Sequence, residues 1–244
     1  MNPVMTQALD PSPLAEAPSA APVTLGDLAG VWKRSLIVEA DGTRDETSTV
    51  YWLQLGSLSG DIRIPSASFE SRATTPLSAF AGCLTERDGV FRWTPELATG
   101  IPANADPDEG RLRWEGGILR EDGARRPYLE HWECAARPSA DDYALRFHSD
   151  PLCLDGYLIR IADFAFYACQ PEDGSPPCFA LIRERDEGWV IEEAISSKLK
   201  PGDPFVWPDI AHSIAGAAGT AGCKFDKGSV VTFERMPARK EASR

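Results

Sequence analysis

The chain has too little positive charge to track a polyanion. Its 25 Lys and Arg residues stand against 37 Asp and Glu, a formal charge of -12. An excess of that sign repels nucleic acid and anionic lipid surfaces. The densest basic stretch, Arg113, Arg120, Arg125 and Arg126, is interrupted by Glu115 and Glu121. Neither nucleic acid nor a membrane surface is an expected partner. Long apolar runs are missing too, none approaching the roughly 20 residues that a membrane helix requires. Residues 1–24 are rich in Pro and Ala and lack the basic start and apolar stretch of a secretory signal. The expectation is a cytoplasmic protein with disordered tails over 1–24 and 237–244.

Reactive motifs are equally scarce. The six cysteines (83, 134, 153, 169, 178 and 223) include no C-x-x-C pair, which argues against a zinc ribbon or a thioredoxin-type site. The three histidines, His131, His148 and His212, have no metal-ligand spacing. There is no G-x-S-x-G elbow, and the run "GAAGTAG" lacks the Lys-Ser/Thr that follows a phosphate loop. No metal or cofactor is expected.

Turn chemistry, by contrast, is abundant. Twenty Gly and 20 Pro punctuate nearly every apolar run, which disfavours helices. Asp-Gly or Glu-Gly steps in "VEADGTRDE", "TERDGVFRW", "LREDGARRPY" and "RERDEGWVIEE" read as hairpin tips, because tight hairpins need positive φ. Strands are expected at about 31–39, 47–55, 60–65, 79–86, 90–94, 111–120, 126–135, 143–148, 156–162, 164–169, 178–185, 189–195 and 229–235. So many strands exceed one flat sheet, and closure removes exposed edges. The fold class is therefore all-β, an antiparallel β-barrel domain over 25–236. A subdivision near "AARPSADD", 135–142, would give two barrel-like halves. Residues 94–110 read as a loop, and 198–228 as a long connection holding a short helix from Pro208 to about Ala217.

The first strand opens with Gly30-Val31-Trp32, which resembles the G-x-W of lipocalin-like (calycin) barrels. The resemblance implies a closed barrel with one small, largely apolar ligand at its mouth, and Trp32 packed across the floor against an Arg from the last strand. Arg235, closing "SVVTFER", is the expected partner. The run from Trp52 to Pro65 also looks like members of an uncharacterised bacterial family.

Candidate chemistry comes from charges on strand faces. In "GDIRIP", Asp61 and Arg63 alternate with Ile62 and Ile64, so one set faces the core. In "RPYLEHWEC", Tyr128, Glu130, Trp132 and Cys134 share one face, with Leu129, His131 and Glu133 on the other. On the first strand Arg34 shares the face of Trp32, Leu36 and Val38. If these faces point inward, Glu130 must find a cation or take a proton. Arg63 is expected to supply that cation, or to hold a ligand carboxylate. Two chemical readings follow. In the first, the barrel binds a small, partly aromatic molecule bearing a carboxylate or carbonyl, with Arg63, Arg34, Trp52 and Trp132 as ligand contacts. In the second, the same cavity runs a cofactor-free lyase or isomerase step, with Glu130 or Asp61 as base and Tyr128 as hydrogen-bond donor. A third reading is an adaptor using its acidic surface and the 198–228 loop.

Overall fold

In the computed structural model the described residues are 22–66, 77–102, 105–149, 154–171, 173–205, 223–224 and 230–234. Their regular structure is one short 3-10 turn, Leu25–Leu28, and otherwise strand. The first sheet holds β1 (Gly30–Glu39), β2 (Arg44–Asp45), β3 (Thr49–Leu55), β4 (Leu58–Ile64), β5 (Ser78–Arg87), β6 (Val90–Thr99), β7 (Asp108–Glu115), β8 (Ile118–Gly123) and β9 (Tyr128–Ala136). Consecutive strands from β3 to β9 pair antiparallel, β1 pairs with β3, and β9 returns to β1. The result is a closed eight-stranded barrel with β2 as an extra strand on β1. Hairpin chemistry drives this order. Asp88 and Gly89 take φ values of 54° and 73° between β5 and β6, the geometry a two-residue turn demands.

The chain leaves the barrel after Ala136 and starts a second sheet at Tyr143. This sheet contains β10 (Tyr143–Ser149), β11 (Leu154–Ile161), β12 (Phe164–Cys169), β13 (Cys178–Arg185), β14 (Gly188–Ile195), β15 (Cys223–Lys224) and β16 (Val230–Glu234). Its order is β14-β13-β12-β11-β10-β16-β15. It does not close among the described residues: it lies as a cover over the outside of β3, β4 and β5. Tyr157, Ile159, Phe166, Phe179 and Leu181 pack there against Leu53, Leu58, Ile62 and Ala81 in one buried cluster.

That cover resolves the two faces of β4, since both are buried. Leu58 and Ile62 face the second sheet, and Gly60 lies so close to Phe166 that an added Cβ would sit 2.3 Å from its ring. Ser59 and Asp61 face the barrel interior and are buried, with Arg63 half-buried on the same side. A second cluster fills the barrel itself, built on Trp32, Trp52, Phe80, Phe91, Trp93 and Trp132.

At the closed end, Trp32 is fully buried and its indole N–H donates to Leu28 O at 2.8 Å. The Arg137 guanidinium, just beyond β9, stands 4.8 Å over its ring and donates to Asp27 O and Ala29 O at 2.7 and 3.2 Å. The expected partner, Arg235, lies outside the described residues, as do the 1–21 part of the tail, the 237–244 tail and the helix at 208–217.

Three local expectations change. A register shift between Arg34 and Leu36 breaks the alternation of β1, so Ile37 is buried while Leu36 and Val38 are partly exposed; an extra residue at a bulge flips everything after it. The single strand expected at 111–120 is two strands, split at Gly116 and Gly117 with φ of 58° and 88°. The loop expected from residue 94 begins only at 100, because Pro95 sits opposite Gly82 at another register shift, one of the few places a sheet accepts Pro.

Candidate functional site

The open end of the barrel gathers charge over an aromatic layer. Trp52 from β3 is the centre of that layer, with ring centroids 5.4 Å from Trp93 and 5.7 Å from Trp132, both edge-on. Its indole N–H donates to Ser59 Oγ at 3.0 Å. Above the indoles, Asp61 and Arg63 on β4, Asp108 at the start of β7, Glu121 on β8, and Tyr128 and Glu130 on β9 converge on one small cavity. Asp61, Arg63, Tyr128, Glu130, Trp52 and Trp132 thus come together as their strand faces indicate. Arg34 stands beside them through its bond to Glu130.

The pairing differs from the expected one. Glu130 is held by Arg34, Nη1 to Oε1 at 2.8 Å, with both side chains almost wholly screened from water. Arg34 also lies 3.8 Å from Asp45, whose other carboxylate oxygen accepts from Thr47 N and Ser48 N. Arg63 instead donates from Nε to Asp61 Oδ1 at 2.7 Å and from Nη2 to Asp108 Oδ2 at 3.4 Å. The reason is the bulge in β1. Across the closing β1–β9 seam Arg34 falls opposite Trp132, and Ile37 falls opposite Glu130, so the guanidinium reaches the neighbouring carboxylate along the barrel wall.

Two members were not foreseen, Glu121 and Asp108. Glu121 is buried, accepts from the Tyr128 hydroxyl at 2.5 Å and from the Trp132 indole at 3.1 Å, and has no ion-pair partner among the described residues. The readable signal was the "EGG" turn at 115–117. Splitting the strand there makes residues 118–123 a strand of their own, with Leu119 and Glu121 on one face. Asp108 lay in the segment expected to be loop.

Burial sets the proton affinities. It pushes the Asp61 carboxyl up to about 6, against the pull of the Arg63 charge and hydrogen bond. Burial and then the negative charges of Glu130 and Asp108 drive Glu121 well above the carboxylate range. The Tyr128 phenol is raised by burial and by Glu121. Glu121, with no cation against it among the described residues, is thus pushed further toward the neutral acid than Asp61, which Arg63 pulls back toward the carboxylate, a separation that lets two carboxyl groups act as donor and acceptor at one pH.

Room inside is scarce. The enclosed cavity is about 20 Å³, enough for about one water molecule, so the barrel interior is filled by its own side chains. Outside it, a groove of about 620 Å³ opens along the barrel rim. Arg63, Phe80, Trp93, Asp108, Arg126 and Tyr128 line both spaces. Arg126 lies 4.7 Å over the Tyr128 ring and donates to Glu39 at 2.9 Å. Ala98, Ile101 and Pro102 add apolar wall to the groove.

Among the described residues no group of three or more His, Cys, Asp or Glu side chains is placed to hold a metal ion. No helix among them is long and apolar enough to cross a membrane. The expected orientation of His131 is seen: it pairs across the seam with Leu36, one step out of phase with Glu130.

No protein-family model matches the chain, and no curated protein matches it. Among solved structures it is similar to an uncharacterized protein of Saccharomyces cerevisiae, YLR301w, at 13% identity and a TM-score of 0.56, over 86% of this chain and all of that one. That likeness concerns the fold alone.

Proposed function

We propose that this is a lipocalin-like barrel that binds a small, partly aromatic molecule at its mouth, with Arg63 holding a carboxylate or carbonyl of the ligand. The carrying observation is the position of Arg63: it lines both the inner cavity and the rim groove, 23% of its side chain is exposed, and Nη1 has no partner among the described residues. Phe80 and Trp93 line both the inner cavity and the groove, and the apolar rim takes the body of the ligand. The small inner volume argues for a ligand seated in the groove rather than swallowed by the barrel. The lipocalin-like assignment is supported by the 3-10 turn, the Gly30-Val31-Trp32 opening and the Arg137 cap on Trp32.

A second reading, a cofactor-free lyase or isomerase at the same place, is favoured by the raised Asp61 beside an arginine. Asp61 is the base in that version, Arg63 stabilises negative charge forming on the substrate, and Tyr128 is the hydrogen-bond donor, its hydroxyl turning from Glu121 to the substrate. Glu130 is pinned by Arg34 and serves to orient.

Native mass spectrometry of the freshly purified full chain, followed by release and identification of any bound small molecule, tests the binding reading. A bound aromatic acid or carbonyl compound that is lost from Arg63→Met supports it. A ligand retained at equal occupancy in Arg63→Met rejects the anchor.

A further inference from the structure

The outer face of the second sheet carries two thiols that the barrel site does not use. Cys169 closes β12 and Cys178 opens β13, and the two are direct antiparallel partners across the strand pair. Directly opposed residues in such a ladder have Cα atoms about 4.5 or 5.5 Å apart. Both spacings fall within the roughly 4.4–6.8 Å window of a disulfide. The thiols are within hydrogen-bonding reach of each other, and the Tyr167 hydroxyl bonds to Cys169 on the same face. Ser196 Oγ donates to Cys178 Sγ at 3.1 Å while accepting from Lys198 N and Leu199 N.

The pair is not sealed in. A cleft of about 440 Å³ opens beside it, walled by Tyr167, Pro171 and Leu199, with the Lys198–Asp173 ion pair at its rim. Cys169 is 9% exposed and Cys178 3%, so a reagent entering the cleft meets Cys169 first. Burial raises the Cys169 thiol above its ordinary value, against the pull of the Tyr167 hydrogen bond and, more weakly, of the Lys198 ammonium.

We propose that Cys169 and Cys178 are a dithiol site that takes a low-molecular-weight disulfide as its substrate and is oxidised by it to a cross-strand disulfide. The Cys169 thiolate attacks one sulfur of the small disulfide, forming a mixed disulfide and expelling one small thiolate. The Cys178 thiolate then attacks Cys169 Sγ, the mixed S–S bond breaks, and the second small thiolate leaves. Two protein thiols lose two electrons and two protons; one small disulfide becomes two thiols. The site is separate from the barrel mouth, so it stands or falls independently of the ligand reading.

Oxidised glutathione is the probe. The folded, reduced full chain is equilibrated with oxidised and reduced glutathione at set ratios, free thiols are alkylated under native conditions, and the protein is digested with trypsin. Residues 161–183 then form one peptide holding both cysteines, with no Lys or Arg between them. The expected result is a peptide two hydrogens lighter and free of alkyl groups as the ratio becomes oxidising, reversed by excess reductant. Its formation should speed up between pH 7 and 8, because the thiolate is the nucleophile. In Cys178→Ser the second step is blocked, and Cys169 should accumulate with one glutathione attached. A peptide alkylated twice at every ratio overturns the proposal, as does a disulfide joining either residue to another cysteine. An unmodified Cys169 in Cys178→Ser under oxidising conditions overturns the order of attack.

Discussion

Arg34 reaches across the barrel seam to Glu130, guanidinium nitrogen to carboxylate oxygen at 2.8 Å, in a place that water barely enters. A buried pair broken from one side leaves a stranded charge, which typically costs about 3–5 kcal/mol. Arg34→Met should therefore lose about that much by denaturant unfolding, more than Glu130→Gln, because it strands Asp45 as well. The double variant should lose less than the sum by about 1 kcal/mol or more. Additive losses would mean that the two charges do not interact.

Glu121 gives a pH signature. Its folded affinity for a proton exceeds the unfolded one, so the folded state holds more protons as pH climbs past the ordinary carboxylate value of about 4.3. Stability contributed by this group then falls as pH rises, by at most about 1.4 kcal/mol per pH unit, until the folded value is passed. Unfolding free energies of the wild type minus those of Glu121→Gln should decline from pH 5 toward pH 8. A difference that stays flat would place an ordinary, ionised carboxylate at this position.

Gly60 sets the distance between barrel and cover. A methyl group there would meet the Phe166 ring at 2.3 Å. Gly60→Ala should destabilise by about 1–3 kcal/mol, the usual cost of overpacking. Pairing it with Phe166→Leu should recover part of the loss, and no recovery would show that the strain lies elsewhere.

At the closed end, Arg137→Met keeps the apolar stem and removes the charge over Trp32 together with two bonds to carbonyls. A loss of about 1–2 kcal/mol with a changed near-ultraviolet tryptophan signal is expected. An unchanged melting curve would remove Arg137 from the floor of the barrel.

Much of this was legible in the residues. Asp-Gly at 88–89 and Gly30-Val31-Trp32 announced a hairpin and a barrel strand, and the phase of Tyr128, Glu130 and Trp132 put them on one face. What escaped were events that reset a period-two pattern. The bulge after Arg34 moved burial from Leu36 and Val38 to Ile37. Gly116-Gly117 created a strand whose Glu121 nobody reading 111–120 as continuous would place inside. Pro95 looked like a breaker but sits at a register shift opposite Gly82. Nor does a strand's own alternation reveal that its outward face is covered: Ile62 and Asp61 are both buried because a separate sheet lies over β4.

An Arg63-anchored ligand at the barrel mouth is put to the test by a thermal-shift titration. The full chain, its Arg63→Met variant and its Trp93→Ala variant are melted with increasing indole-3-acetate, phenylacetate and acetophenone as probes. At least one aromatic acid or ketone should raise the wild-type melting temperature in a saturable way, with the rise abolished in Arg63→Met and weakened in Trp93→Ala. No saturable shift with any probe, or an equal shift in Arg63→Met, would mean that Arg63 anchors no such ligand.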